Sequence, residues 1–148
     1  MAFRLVQCDV SGHPMEPVGP LPEFVAENCA GGAALYASVG FVPPWVGYIA
    51  VDDGKAVGGG AFVGAPKDNC VEIAYYTVKE LEGRGYAGKT AAALVDIASK
   101  AAPGITLVAH TLPEENASTA ILAKLGFTQT GTAEDPDAGT VWEWRRTS

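Results

Sequence analysis

The hydrophobic pattern along the chain changes period several times, and each change predicts an element. Residues 3 to 8 (FRLVQC) read as a first strand, and Pro14, Pro17, Pro20 and Pro22 place a loop after it. EFVAENCAGGAALYASV, residues 23 to 39, has helical composition broken at Gly31-Gly32, which predicts two short helices covering one sheet face. Three turn-bounded runs rich in β-branched and aromatic residues follow: WVGYIAV (45 to 51), AVGGGAFVG (56 to 64) and VEIAYYTV (71 to 78). The connectors DDGK and APKDN are short enough for hairpins, so these strands form an antiparallel meander. From Ala87 the period becomes helical through Ala91, Leu94, Val95 and Ala98, until Pro103 and Gly104 stop it. ITLVAHT (105 to 111) reads as a buried strand, and ENASTAILAKLG as a helix capped near Asn116 and closed by Gly126. Two last strands, FTQTG and TVWEWRR, flank the turn-rich TAEDPDAG. With no repeat, linker or low-complexity tract, residues 1–148 are expected to form one domain.

Composition narrows the function classes. Apolar residues make up 48% of the 148 and charged residues 18%, the balance of a globular chain. A net charge of −7 argues against a nucleic-acid surface and suits a cationic small molecule or basic peptide better. Cys8, Cys29 and Cys70 are widely spaced, with no CxxC and no neighbouring His. They indicate neither a disulfide framework nor a metal site, and read as idle thiols in a reducing cytoplasm. No stretch approaches a membrane span or a secretion signal, so the expected location is cytoplasmic, with no membrane partner.

One octapeptide carries chemistry. GRGYAGKT, residues 83 to 90, matches the phosphate-loop template at Gly83, Gly88, Lys89 and Thr90, and the dinucleotide fingerprint at Gly83, Gly85 and Gly88. A phosphate loop follows a buried parallel strand almost directly, whereas KELE intervenes here after the third strand of a meander. The metal-holding Asp expected downstream is missing, since GYIAVDD lies upstream. The dinucleotide reading lacks the acidic residue that should fall near VAHT. What remains common to both is an anion held by amides at the positive end of a helix, against a Gly-rich turn that binds nothing.

VEIAYYTVKELEGRGYAGKTAAAL, followed after a strand by AHTLPEENASTAILAKLGF, closely resembles the GNAT N-acetyltransferase superfamily. More narrowly it is similar to the group related to the ribosomal-protein N-terminal acetyltransferases, over about Pro44 to Arg146. The resemblance implies an α/β (α+β) fold: a mixed, mostly antiparallel seven-stranded sheet with splayed parallel central strands and flanking helices. Strands 71 to 78 and 105 to 111 would be the splayed pair. Acetyl-CoA would lie between them as cosubstrate, its pantetheine along Tyr76, Thr77 and Val78 and its pyrophosphate on Gly83, Arg84, Gly85, Tyr86, Ala87, Gly88 and Lys89. Asn116 would add a pantetheine hydrogen bond, and no metal is implied. The chain departs from the family pattern at Glu82, where Gln or Arg is usual, at Gly88-Lys89, and at Leu122, which replaces a Tyr acid.

Amide formation from an aminium and a thioester needs a base, oxyanion donors and a route to protonate the thiolate. Glu72 alternates with Val71 and Ile73 and so points away from them, a candidate base. His110, at the end of its strand, is the other candidate. Amides near Thr77 and Val78 would hold the oxyanion. Ser118 matches a Ser that faces the thiolate in the related group. The acceptor pocket is expected among residues 22 to 39, the last strands and Tyr48. The reading is an acetyl-CoA-dependent N-acetyltransferase acting on a small-molecule or peptide amine, with a non-catalytic acyl-CoA sensor as the alternative and homodimerisation open.

Overall fold

The computed structural model describes residues 3–147. In chain order the elements are β1 (Phe3–Gln7), α1 (Glu23–Val39), β2 (Gly47–Asp52), β3 (Lys55–Phe62), β4 (Cys70–Thr77), a 3-10 turn at Lys79–Leu81, α2 (Tyr86–Ala101), β5 (Thr106–Thr111), α3 (Ala117–Lys124), β6 (Thr128–Asp135) and β7 (Gly139–Thr147). One seven-stranded sheet runs in the order β1-β2-β3-β4-β5-β7-β6. Among the described residues only β4 and β5 pair in parallel. The remaining neighbours are antiparallel, including the expected meander of β2, β3 and β4. No helix among the described residues is long and apolar enough to cross a membrane.

Two expectations fail in instructive ways. Residues 23 to 39 form one helix, not two, because Gly31 and Gly32 lie within α1 without breaking it. Each glycine costs a helix about 1 kcal/mol, but Val25 and Tyr36, buried on either side of the pair, hold both ends against the sheet. TAEDPDAG is mostly strand: β6 continues to Asp135 and β7 begins at Gly139. Asp135 Oδ1 closes this hairpin by accepting the Asp137 and Ala138 amides at 2.8 and 2.9 Å.

The core forms two clusters. The larger joins Phe62, Ile73, Leu94, Leu107, Leu122 and Trp144, and the other joins Val6, Val25, Ile49, Val51 and Val78. Trp144 packs in the first while its Nε1 donates to Thr111 Oγ1 at 3.0 Å. The glycines of β3 let neighbouring groups approach closely. A Cβ on Gly58 would stand 2.3 Å from the Tyr76 carbonyl oxygen, which is backbone and cannot step aside. Gly58→Ala should therefore cost roughly 3 kcal/mol of unfolding free energy. Gly31→Ala, where nothing lies within 4 Å, should add about 1 kcal/mol. Urea denaturation midpoints of the two variants check both signs.

Candidate active site

The register of β4 and β5 creates a gap. Their pairing covers Cys70↔Thr106, Val71↔Leu107 and Glu72↔Val108 and then ends. β5 instead follows β7 as far as Thr111↔Trp142. Beyond Glu72, β4 continues to Thr77 with β3 on one side and no strand on the other. Antiparallel ladders alternate the direction of their backbone groups. Glu72 accepts from the Val63 amide and the Val78 amide donates to Val57 O, both at 2.9 Å, so the even-numbered residues face β3. The amides of Tyr75 and Thr77 consequently point into the gap. Tyr76 and Val78, expected to border the pantetheine, have their amides turned to β3 and offer no free donor there.

The gap leads to the octapeptide. Gly83 and Gly85 take φ of +82° and +84°, a region that favours glycine, and no atom lies within 4 Å of where either Cβ would be. Gly85 is the N-cap of α2, with no side-chain cap and no acidic residue in the first turn. The first amides of α2 are thereby left for an anion at the positive end of the helix. Tyr86 fastens this turn to the sheet: its hydroxyl donates to Asp52 Oδ2 at 2.7 Å and its ring stacks on Phe3 at 6.3 Å. Lys89 does not complete a phosphate loop. Its ammonium sits over the Phe3 and Tyr86 rings, at 6.0 and 5.9 Å, and its amide donates to Gly85 O. Thr90, which would hold magnesium in a phosphate loop, is fully buried and donates to Tyr86 O at 2.8 Å.

α3 lies alongside α2, with Ile121 Cγ1 4.0 Å from where a Gly88 Cβ would stand. Asn116 and Thr119 form a reciprocal capping box, Asn116 Oδ1 accepting the Thr119 amide at 3.2 Å and Thr119 Oγ1 accepting the Asn116 amide at 2.9 Å. One lone pair of the Asn116 amide oxygen is thus engaged, and its side-chain NH₂ remains for a ligand. Ser118 is half-buried in the first turn of α3, while Glu82 and Arg84 are exposed beside the glycines.

At the vertex of the gap, β4, β5 and β7 place three titratable groups in line. His110 Nδ1 lies 3.3 Å from Glu72 Oε2, and its Nε2 lies 3.2 Å from Glu143 Oε1. All three side chains are about a quarter to a third exposed: 36% for Glu72, 26% for His110 and 23% for Glu143. Glu143 also accepts from Arg145 Nε at 3.2 Å. The hydrogen bond from His110, with that from Arg145, holds the Glu143 carboxyl below its ordinary range. A neutral imidazole donates to one carboxylate and a protonated one to both, so the ring can move a proton between the two. Glu143 is the member that sequence reasoning missed. Its only signal was the alternation with Trp142 and Trp144, and the His110↔Glu143 pairing that gives it meaning needs the sheet order.

A cavity of about 230 Å³ lies between α1 and the sheet. α1 supplies Cys29, Gly32, Ala33 and Tyr36, and β2 to β4 supply Tyr48, Ala61 and Ala74 to Tyr76. The loop after β1, not the last strands, closes one end, through Cys8, Asp9 and Gly12. Trp142 and Trp144 line a separate groove with Asn116 and Thr119. The Tyr36 hydroxyl donates to Phe62 O at 2.5 Å and the Tyr48 hydroxyl to Pro44 O at 2.7 Å. Burial pushes the Tyr48 phenol up to about 12, so it stays neutral. Residues 74 to 76 of β4 thus border the cavity on one face and the gap on their edge.

The sequence matches the family described as the acetyltransferase (GNAT) domain over residues 27–128. No curated protein sequence matches it. Among solved structures, the ribosomal-protein-S5-alanine acetyltransferase from Vibrio fischeri superposes with a TM-score of 0.71 at 15% identity, covering 99% of this chain and 93% of that one. RimL, a ribosomal L7/L12 alpha-N-protein acetyltransferase solved with coenzyme A, gives 0.70 at 14% identity, over 99% and 94%. Mycobacterium smegmatis RimJ, in complex with a CoA disulfide, gives 0.67 at 22%, over 90% and 68%.

Proposed function

The chain belongs to the GNAT acetyltransferase family, and from that premise we propose that it transfers the acetyl group of acetyl-CoA to a primary amine by direct attack in a ternary complex. One observation carries the reading: β4 parts from β5 at Glu72, and its free edge runs straight to an uncapped helix N-terminus behind open glycines. An extended pantetheine fits such an edge and a pyrophosphate fits such a terminus. Acetyl-CoA supplies the activated thioester. The amides of Tyr75 and Thr77 bind along the edge and meet the negative charge that develops on the carbonyl oxygen. Gly83 to Gly88 hold the pyrophosphate, with Arg84 and the Asn116 NH₂ as outer contacts. Glu72 takes the proton from the attacking amine, His110 passes it towards Glu143, and the Ser118 hydroxyl faces the departing thiolate.

The acceptor reaches β4 from the α1 cavity. Its volume falls below the roughly 300–1,000 Å³ common for drug-sized ligands, which favours a small amine or a single terminal residue of a peptide. Its tyrosine hydroxyls are engaged by carbonyls, so the walls offer rings and small apolar groups to the acceptor body. Calorimetry should show coenzyme A binding in the micromolar range and magnesium-ATP binding far more weakly. A panel of amines, followed by release of free thiol, should identify an acceptor. Tight ATP binding without CoA binding would overturn the site, and CoA binding without turnover of any amine would leave an acyl-CoA sensor.

A further inference from the structure

The fold joins two cysteines that the sequence set far apart. Cys8 follows β1 directly and is fixed by its amide, which donates to Gly47 O at 2.9 Å, and by a bridge to Pro14. Cys29 lies in the first half of α1. The loop carrying Cys8 packs so closely on the helix that a Cβ on Gly12 would stand 2.6 Å from Cys29 O. Cys8 belongs to the apolar cluster of Val6 and Val25 and Cys29 packs against it, both line the α1 cavity, and both are free thiols.

We propose that Cys8 and Cys29 form a redox-active dithiol in the wall of this cavity, a modification site that a small-molecule disulfide oxidises to an intramolecular disulfide. The Gly12 contact brings the loop of Cys8 against the turn of α1 that carries Cys29, and both side chains open into the same cavity. The neighbouring Cys29, with burial, pushes the Cys8 thiol up, and the neighbouring Cys8 draws the Cys29 thiol down. Cys8 is buried and Cys29 only partly so, which makes the more accessible Cys29 the nucleophile and Cys8 the resolving thiol. The Cys29 thiolate attacks one sulfur of the oxidant, forming a mixed disulfide and expelling one thiolate. Cys8 then gives up its proton and attacks Cys29 Sγ, forming the Cys8–Cys29 bond and expelling the second thiolate. The protein dithiol loses two electrons and two protons, and the oxidant becomes two thiols. Cys70 stands apart at the start of β4, with Arg145 Nη1 3.7 Å from its sulfur.

The linkage would tie α1 to the loop that closes the cavity. Because it crosslinks distant segments, it should raise the thermal midpoint by several degrees, reversibly with reductant. The test treats the native, unmutated protein with oxidised glutathione and reads intact mass, free-thiol count and non-reducing peptide maps. The expected product is lighter by two hydrogens, retains one free thiol at Cys70, and yields a peptide pair joining Cys8 to Cys29. In a Cys8→Ser protein the glutathione adduct should accumulate on Cys29. Three retained thiols, separate adducts on Cys8 and Cys29 of the native protein, or crosslinks between molecules would each overturn the proposal. None of these readouts depends on acetyl transfer, so the dithiol and the proposed activity stand or fall separately.

Discussion

A Gly85→Glu protein should bind coenzyme A at least ~100-fold more weakly than the native chain, the loss expected when a carboxylate displaces a phosphate from a helix N-terminus. Gly85 is the N-cap of α2, its φ is +84°, and the space around its missing Cβ is open. A side chain there would project where the pyrophosphate is proposed to sit. Part of the effect is conformational, since a non-glycine residue in the left-handed region costs roughly 1–2 kcal/mol. Gly85→Ala isolates that part, and should reduce stability more than it reduces affinity. Lys89→Ala should weaken binding far less than Gly85→Glu, because the Lys89 ammonium rests over Phe3 and Tyr86 and its amide is bonded to Gly85 O. Calorimetric titration with coenzyme A ranks the three variants. A tolerated Gly85→Glu beside a dead Lys89→Ala would move the phosphate site to the lysine side of the helix.

That ranking illustrates which features were legible in the sequence. The meander, α2 and α3 follow from local period and punctuation, and the structure matches them closely because each depends on residues near in the chain. Asn116 was read as a cap, and it is one, in a reciprocal box with Thr119. Gly31-Gly32 misled because a local cost was read without the burial of Val25 and Tyr36 that outweighs it. The phosphate-loop match at Lys89 and Thr90 could be set aside from KELE and the missing downstream Asp, and the two side chains agree, turning to aromatic rings and to Tyr86 O. Glu143 and the Cys8–Cys29 pair were illegible for another reason. Each joins its partners across strands or between a loop and a helix, so only sheet order and register bring them together.

The same register makes Glu72 the residue whose loss should affect turnover most. It is the last β4 residue paired with β5, and its carboxylate meets His110 where the two strands part. Glu72→Gln retains shape and hydrogen bonding but not basicity, so turnover with an identified acceptor should fall roughly 10²-fold or more. Coenzyme A affinity should be unchanged, because the cradle lies at the other end of β4. The pH profile of the rate should change in the variant, because the group lost is the proposed base. Glu143 meets His110 Nε2 at 3.2 Å and is proposed to act through it, so Glu143→Gln is expected to lower kcat less while altering the same pH profile. The pH profile of the rate is the readout that a merely structural role would not move, while stability reports the ion-pair contact itself. The folded-state pKa of Glu143 is depressed, so its contribution to stability is present above the unfolded pKa, ordinarily 4.5, and is lost as pH falls through the lower folded value. Glu143→Gln should therefore be less stable than the native chain at neutral pH and indistinguishable from it in acid. If Glu72→Gln kept native turnover and pH profile while Glu143→Gln lost both, the base would be His110 acting with Glu143, and Glu72 would only orient the ring.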